Sequence, residues 1–471
     1  MSSTDQQSPL PTAAYDPKSC QPGIIHVGVG AFHRAHQAAY IDQLLALEGE
    51  QGWGIVGVNL RPQESSLMQL LKDQDYSYFL KTMAPTGEVK YRQINSILGV
   101  SDWAVDPMAA ANIAAGDNIH LITVTVTESG YYLLENSKLD TNAQPIVEGL
   151  SGRGSCIYTY LRAALNARRA DCNLPITILC CDNLRHNGKL LQTGFEQFLQ
   201  ACGDTELLAW LANNATFPCS MVDRITPRMD PKHAQDVRDR FGVNDQLTVM
   251  SESYLQWVIE NKFAGPMPDL SAVGAEIVTD VEPYEEAKIR ILNGAHTVVC
   301  YMAALKGHVT YDQAILDPEL EHLFMGYETD EVIPAMAGSS INLVEYRDLI
   351  KARFSNINIA DSVARITADG VSKFPIFILP TLEKAFALEI MPSNCIKGIA
   401  SWYVFMRHVA AGKIGFDYLE PKWDFIQPLL SAGAENAFAT NDVLWGKLPV
   451  QYPAFVAELQ KEIVVMSERF R

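Results

Sequence analysis

Lys288, Asn293 and His296 stand in one short stretch, Lys288-Ile-Arg-Ile-Leu-Asn-Gly-Ala-His296, and all three side chains can move a proton or hold a charge. If residues 286–303 form a helix, each residue turns the chain by about 100°, which puts Asn293 roughly 140° and His296 roughly 80° from Lys288. The three then share one side of the cylinder, with Arg290 near the back. Ile291, Leu292, Ala295 and Val299 flank the lysine. Apolar surroundings disfavour an ammonium ion and lower its pKa, and a lysine brought toward neutrality can take and return a proton. An asparagine N–H beside it can hold an alkoxide, and a histidine one turn away can position a hydroxyl. The same types equally suit a buried helix whose lysine snorkels and whose Asn and His bond to backbone. Spacing alone leaves both readings open.

Such residues act only where a scaffold holds them. At 471 residues the chain exceeds one simple core, so two domains are expected. Strand patterns at 24–27, 53–60, 120–126 and 176–181 alternate with helical patterns at 34–47, 64–71 and 153–169, which implies parallel βαβ units. Residues 76–83 and 88–94, separated by Ala84-Pro-Thr-Gly87, read as an antiparallel hairpin. Beyond about residue 285 helical periodicity takes over, near 286–306, 311–325, 342–352, 380–389, 397–412 and 454–468. The change of pattern sets a boundary near residue 280, and residues 1–22 read as a loose tail.

Composition narrows the partners. The formal charge of −18 argues against nucleic acid or an anionic membrane, while a local cationic pocket for an anionic substrate stays compatible with it. Nine cysteines without a Cys-x-x-Cys pair read as reduced thiols of a cytoplasmic protein. The polar start Met1-Ser-Ser-Thr-Asp5 lacks the form of a signal peptide. No run approaches the roughly 18 apolar residues of a membrane helix.

Gly28-Val-Gly30 follows a strand pattern and precedes a helical one, the context in which a Gly-x-Gly turn holds a dinucleotide. His33 occupies the place of the usual third glycine, and a plain strand-to-helix turn fits the same residues. Phe32 and Arg34 in this segment join Gly28 and Gly30 as candidate cofactor contacts. An acid that grips the adenosine ribose belongs at the end of the second strand, where this chain has Asn59, Arg61 and Glu64. Glu64 suits ribose hydroxyls and Arg61 a 2′-phosphate. His33 and His36 have the spacing of a metal-ligand pair, but no cysteine or acid cluster completes a tetrahedral set, so packing or contact with cofactor phosphates is expected and no metal.

Taken together, Gly28-Val-Gly-Ala-Phe-His-Arg-Ala-His-Gln37, Thr125-Val-Thr-Glu-Ser-Gly-Tyr-Tyr132, Cys181-Asp-Asn-Leu-Arg-His-Asn-Gly188, Met221-Val-Asp-Arg-Ile-Thr-Pro227, Gln256-Trp-Val-Ile-Glu260, the Lys288 stretch and Arg365-Ile-Thr-Ala-Asp-Gly-Val-Ser-Lys373 make the chain resemble the long-chain polyol dehydrogenases of the mannitol 2-dehydrogenase family. The resemblance implies an α/β Rossmann-type domain over residues 23–280, a mostly α-helical catalytic domain over 281–471, and an active site in the cleft between them. It also implies metal-independent interconversion of a sugar alcohol and its ketose, D-arabinitol and D-xylulose or D-mannitol and D-fructose, in a family whose members are often monomers. By position, Lys288 resembles the general base, Asn183 and Asn293 the oxyanion donors, and His296 the histidine that orients substrate. Asp223, Arg365 and Lys373 match positions that hold polyol hydroxyls. Glu285 is placed to relay protons or to tune the lysine. NAD is expected over NADP, from the family precedent and Glu64, with Arg61 as the opposing sign. A hexuronate reductase of the same family is the alternative, and a non-catalytic dinucleotide-binding protein stands behind both.

Overall fold

Short β-branched runs build the first half of the chain. The computed structural model describes residues 9–11, 13–134, 136–227 and 230–471. It divides into two compact units, one formed by residues up to Ala84 with Glu88–Glu282, the other by Pro85–Gly87 with Pro283–Arg471.

The first unit holds strands β1 (Pro22–Val27), β2 (Gly54–Asn59), β3 (Tyr78–Met83), β4 (Val89–Ile94), β5 (Ile97–Asp102), β6 (Leu121–Val124), β7 (Ile176–Cys180), β8 (Ala215–Thr216), β9 (Ser220–Asp223), β10 (Val249–Glu252), β11 (Gln256–Glu260) and β12 (Glu276–Val278). Six of them form an all-parallel sheet in the order β5-β2-β1-β6-β7-β8. Numbered along the sheet, this is the 3-2-1-4-5-6 order of doubly wound dinucleotide-binding domains, whose ligand crevice opens where the order reverses. Here that point lies between β1 and β6.

Helices cover both faces, so the strands are buried on both sides. Ile25, Val27, Ile122, Val124, Ile178 and Cys180 face one core. Ile24, Ile55, Leu121 and Leu179 face the other. Each fully buried side chain of this size contributes about 1.5–3 kcal/mol.

The hairpin β3–β4 is antiparallel as its turn residues imply, and Gly87 supplies a positive φ of 86°. Its sheet gains β10 alongside β3, and a third sheet pairs β9 antiparallel with β11, setting Gln256 opposite Asp223. Periodicity did not signal β5 or β8–β12. The helix expected over 34–47 is two, Ala31–Ala35 and Gln37–Leu44, broken at His36 (φ −115°, ψ −87°). There the buried imidazole turns to the Gln256 carbonyl at 2.8 Å and packs among Phe32, Tyr40 and Trp257. Of the tail expected over residues 1–22, residues 1–8 and 12 lie outside the described ones. From Tyr15 the chain is tied down: the Tyr15 hydroxyl donates to Asp42 at 2.7 Å, and Asp16 caps the turn Pro17–Ser19.

The second unit is helical. Gly294–Leu305 crosses Ser393–Ala410 closely, because Gly398 lies against Val298, where a Cβ would come within 3.0 Å of backbone. Tyr301, Phe374, Trp402 and Trp445 fill the core beside them. The pattern at 311–325 breaks into two helices, since Asp317 caps the second and Pro318 opens it. The stretch expected as one helix from 286 to 303 is three pieces: Glu282–Ala287, a π-turn Lys288–Asn293, and Gly294–Leu305. One extra residue is taken into the turn, so the Gly294 N–H reaches back five residues to Ile289. Among the described residues, no helix is long and apolar enough to cross a membrane.

Candidate active site

The crevice beside β1 is built on glycine. Gly28 has φ +98°, and a Cβ on it would stand 2.0 Å from the Thr125 carbonyl oxygen at the end of β6. Its neighbour differs: a Cβ on Gly30 would meet no described atom within 4 Å, which leaves an open cradle above the turn. A pocket of about 350 Å³ opens there, lined by Gly28, Gly30, Asn59, Arg61 and Glu64 among others. That size suits one end of a dinucleotide. Gly28→Ala is expected to weaken nicotinamide binding about tenfold or more, from strain at a φ that L-residues avoid. Quenching of reduced-nicotinamide fluorescence measures it, and wild-type affinity in the variant would separate this turn from cofactor binding.

Buried polar groups bond to the segments that line the pocket. The His26 ring reaches Thr123 at 2.7 Å, Thr125 at 2.9 Å and the Gly28 carbonyl at 3.1 Å. His33, in the place of the third glycine, stacks on His26 with ring centroids 3.3 Å apart. Burial lowers the His26 pKa to about 3 and holds His33 well below the usual histidine range, so both rings are neutral. Asp182, just past β7, accepts from the backbone N–H groups of Val126 and Thr127 at 2.9 Å each and from the Tyr131 hydroxyl. Thr127 thereby keeps a φ of +68°, unusual for a β-branched residue. Burial pushes the Asp182 carboxyl up to about 6 despite these donors. Asp182 adjoins Asn183 in the Cys181–Gly188 segment, and nothing in the sequence marks its role, because its partners lie more than fifty residues away.

Two expected cofactor contacts lie elsewhere. Arg34 turns inward, fully buried, donating to the Leu247 carbonyl with its guanidinium 5.5 Å from the Tyr78 ring centre. Phe32 packs against His36 at 5.0 Å. Neither lines the pocket. Asn59 lines it while bracing the loop: its amide donates to the Arg61 carbonyl at 2.8 Å and to Asp102 at 3.0 Å. Arg61 is exposed and donates to the Val126 carbonyl at 3.0 Å, while Glu64 is exposed at the start of the Ser65–Asp73 helix. Glu148, a second acid on the pocket wall, carried no sequence signal.

In the second unit Lys288 is buried, and so are Ile291, Leu292, Ala295 and Val299. The π-turn changes the expected angles. In such a turn residues i and i+5 are the ones joined by one turn, so Asn293 stands about one turn from Lys288 rather than part-way round the cylinder. The Asn293 side-chain nitrogen is buried with no hydrogen-bond partner among the described residues. Arg290 pairs with Glu286 at 2.8 Å, and Glu285 is buried.

His296 packs between Phe354 and Tyr311, ring centroids 4.1 and 4.5 Å away. Burial, then the positive charges of Arg365, Lys373 and Arg353, keep it well below its ordinary pKa. Histidine, arginine and lysine thus share one neighbourhood. Lys373, its own pKa lowered by burial, donates to the Ile366 carbonyl at 2.8 Å, and Arg365 makes a two-pronged pair with Asp361.

Asn183 and Asp223 belong to the first unit. Asn183 is exposed, three residues before the His186 position that begins the Asn187–Cys202 helix, so it does not cap that helix. Asp223 is buried at the end of β9, beside an Arg224 that donates to the carbonyls of Glu252 and Ala35. Among the described residues, no group of three or more His, Cys, Asp or Glu side chains is placed to hold a metal ion.

A doubly wound domain with a glycine turn, joined to a helical domain carrying a buried lysine, has the architecture of a two-domain dehydrogenase. The chain belongs to the mannitol dehydrogenase family: residues 22–272 match the mannitol dehydrogenase Rossmann domain and residues 280–464 the mannitol dehydrogenase C-terminal domain. It is 38% identical to a D-arabinitol 4-dehydrogenase of Klebsiella pneumoniae over 90% of this chain and 94% of that one. It is 35% identical to a polyol:NADP oxidoreductase of Gluconobacter oxydans over 83% and 82%. The mannitol 2-dehydrogenase of Pseudomonas fluorescens, solved as a ternary complex with NAD and D-mannitol, superposes with a TM-score of 0.86 at 31% identity, covering 99% and 96%. The chain is a polyol dehydrogenase, an oxidoreductase acting on CH–OH groups. A non-catalytic role is set aside.

Proposed function

We propose that the chain interconverts D-arabinitol and D-xylulose, or D-mannitol and D-fructose, with NAD and with Lys288 as general base. The observation that carries the mechanism is the Asn293 side-chain nitrogen, buried without a hydrogen-bond partner among the described residues about one π-turn from a buried lysine. A secondary alcohol gives up hydride poorly and its alkoxide readily. Lys288 takes the hydroxyl proton as Asn293 and Asn183 donate N–H groups to the oxygen that gains charge. Neutral His296 orients that hydroxyl, and Asp223, Arg365 and Lys373 hold the remaining ones. Gly28 and Gly30 admit the cofactor pyrophosphate, with Asn59, Arg61 and Glu64 around the adenosine. NAD, when bound, supplies the hydride acceptor. No metal is required.

Arg365 is paired with Asp361 and Lys373 donates to the Ile366 carbonyl; a polyol is favoured over a hexuronate by the likeness to polyol-acting relatives. The likeness to a D-arabinitol 4-dehydrogenase supports the five-carbon substrate. For the cofactor, Glu64 can accept from ribose hydroxyls and repel a 2′-phosphate, whereas Arg61 on the same pocket can pair with that phosphate.

Absorbance of the reduced nicotinamide, with NAD and NADP against polyols and hexuronates, tests the reading. The highest kcat/KM is expected with NAD and D-arabinitol or mannitol. A hexuronate preference would replace the substrate assignment. A clear NADP preference, abolished in Arg61→Ala, would reverse the cofactor assignment.

A further inference from the structure

We infer that Tyr327 is a positioning residue for proton transfer: its hydroxyl pins the π-turn Lys288–Asn293 and so keeps the lysine and the asparagine amide one turn apart. The inference rests on the reading of Lys288 as the base. In an α-helix the Gly294 N–H would donate to the Arg290 carbonyl, four residues back. Here it donates to Ile289 and Ile291, while the Arg290 carbonyl accepts from the Tyr327 hydroxyl at 2.8 Å. A side chain inserted into the i→i−4 ladder is a known cause of helix irregularity.

Gly294 makes the room. A Cβ there would stand 2.1 Å from the Tyr327 oxygen and 3.1 Å from its ring carbon Cζ. Tyr327 is 0% exposed, so the phenol has no outward path to yield. Burial holds its pKa well above the usual tyrosine range, so the hydroxyl stays a donor.

Tyr327 is itself fixed in place. It opens a second π-turn, Tyr327–Val332. The Glu331 carboxylate of that turn accepts from the Asn394 backbone at 2.6 Å, the Asn394 amide at 2.9 Å and the Cys395 backbone at 2.9 Å. These bonds tie the turn to the start of the Ser393–Ala410 helix. Without the phenol oxygen, the first turn can relax toward α-helical winding, which carries Asn293 to roughly 140° from Lys288 around the axis.

Tyr327→Phe is therefore expected to lower kcat about ten- to a hundredfold, to shift the pH profile of kcat, and to leave the Kd for reduced nicotinamide unchanged. Gly294→Ala, which displaces the same hydroxyl, is expected to do the same and supplies these readouts if Tyr327→Phe does not fold. The double variant should lose no more than the worse single one, because both remove one contact. Wild-type kcat and pH profile in both single variants, with Lys288→Ala inactive, would overturn the inference and leave the base assignment standing. Additive losses, or a fall in cofactor affinity and thermal midpoint matching the fall in kcat, would also overturn it, marking Tyr327 as support for the fold alone. Normal turnover of Lys288→Ala would instead remove the reading on which it rests.

Discussion

Lys288→Ala is expected to slow polyol oxidation by about 10²–10⁴-fold while nicotinamide still binds. The lysine lies in the helical unit, and the glycine pocket that would hold the cofactor is built wholly from the other. Removing its amine should therefore touch the alcohol and spare the cofactor. Wild-type oxidation should rise with pH, since only the unprotonated amine can take the hydroxyl proton, and the variant should lose that rise. Truncating a buried lysine also removes an aliphatic stem that packs against its neighbours, so a modest change in thermal midpoint is compatible with the assignment. Two measurements decide it: hydride transfer at saturating polyol, and titration of fluorescence with reduced cofactor. Near-normal turnover with intact affinity would remove Lys288 from the chemistry.

The scaffold was largely legible because its signals are local. The runs at Ile24, Ile55, Leu121 and Ile176 announce buried parallel strands by hydrophobicity alone, and Ala84-Pro-Thr-Gly87 announces a hairpin by turn chemistry. Strands β9, β10 and β11 escaped because each has only two or three apolar residues beside polar ones, as in Ser220-Met-Val-Asp223 and Val249-Met-Ser-Glu252, and so lacks the continuous apolar run of the parallel strands. The site was legible in part. Gly28 and Gly30 could be named from their place after a strand, and both line the pocket. Arg34 could not be excluded from it: whether an arginine beside a glycine turn faces a phosphate or the Leu247 carbonyl depends on chain more than two hundred residues away. Asp182 and Tyr327 were missed for the same reason, since each acts on backbone of a distant segment. The π-turn is the most consequential miss. Nothing in Lys288-Ile-Arg-Ile-Leu-Asn293 departs from α-helical periodicity. The phenol that stands against the Arg290 carbonyl comes from another helix.

Asn293→Ala should separate catalysis from stability more cleanly than the lysine variant. Its side-chain nitrogen is buried and makes no hydrogen bond with a described residue, whereas its backbone carbonyl, untouched by the substitution, accepts from the Thr297 hydroxyl at 2.8 Å. Truncation therefore breaks no existing side-chain bond to that nitrogen and removes a polar group whose desolvation was uncompensated, a change that is close to neutral or stabilising. During oxidation the same N–H would meet an oxygen gaining negative charge, and loss of one such donor typically costs about 10²–10³-fold in rate. The expected result is a fall in kcat of that size with the thermal midpoint and cofactor affinity nearly unchanged. Asn293→Asp should be at least as slow, because a carboxylate repels the alkoxide that the amide would stabilise. Thermal unfolding and single-turnover hydride transfer on the two variants make the test. Were kcat to survive in Asn293→Ala, the unpartnered amide would be only a defect of packing, and the oxyanion role would have to move to another donor.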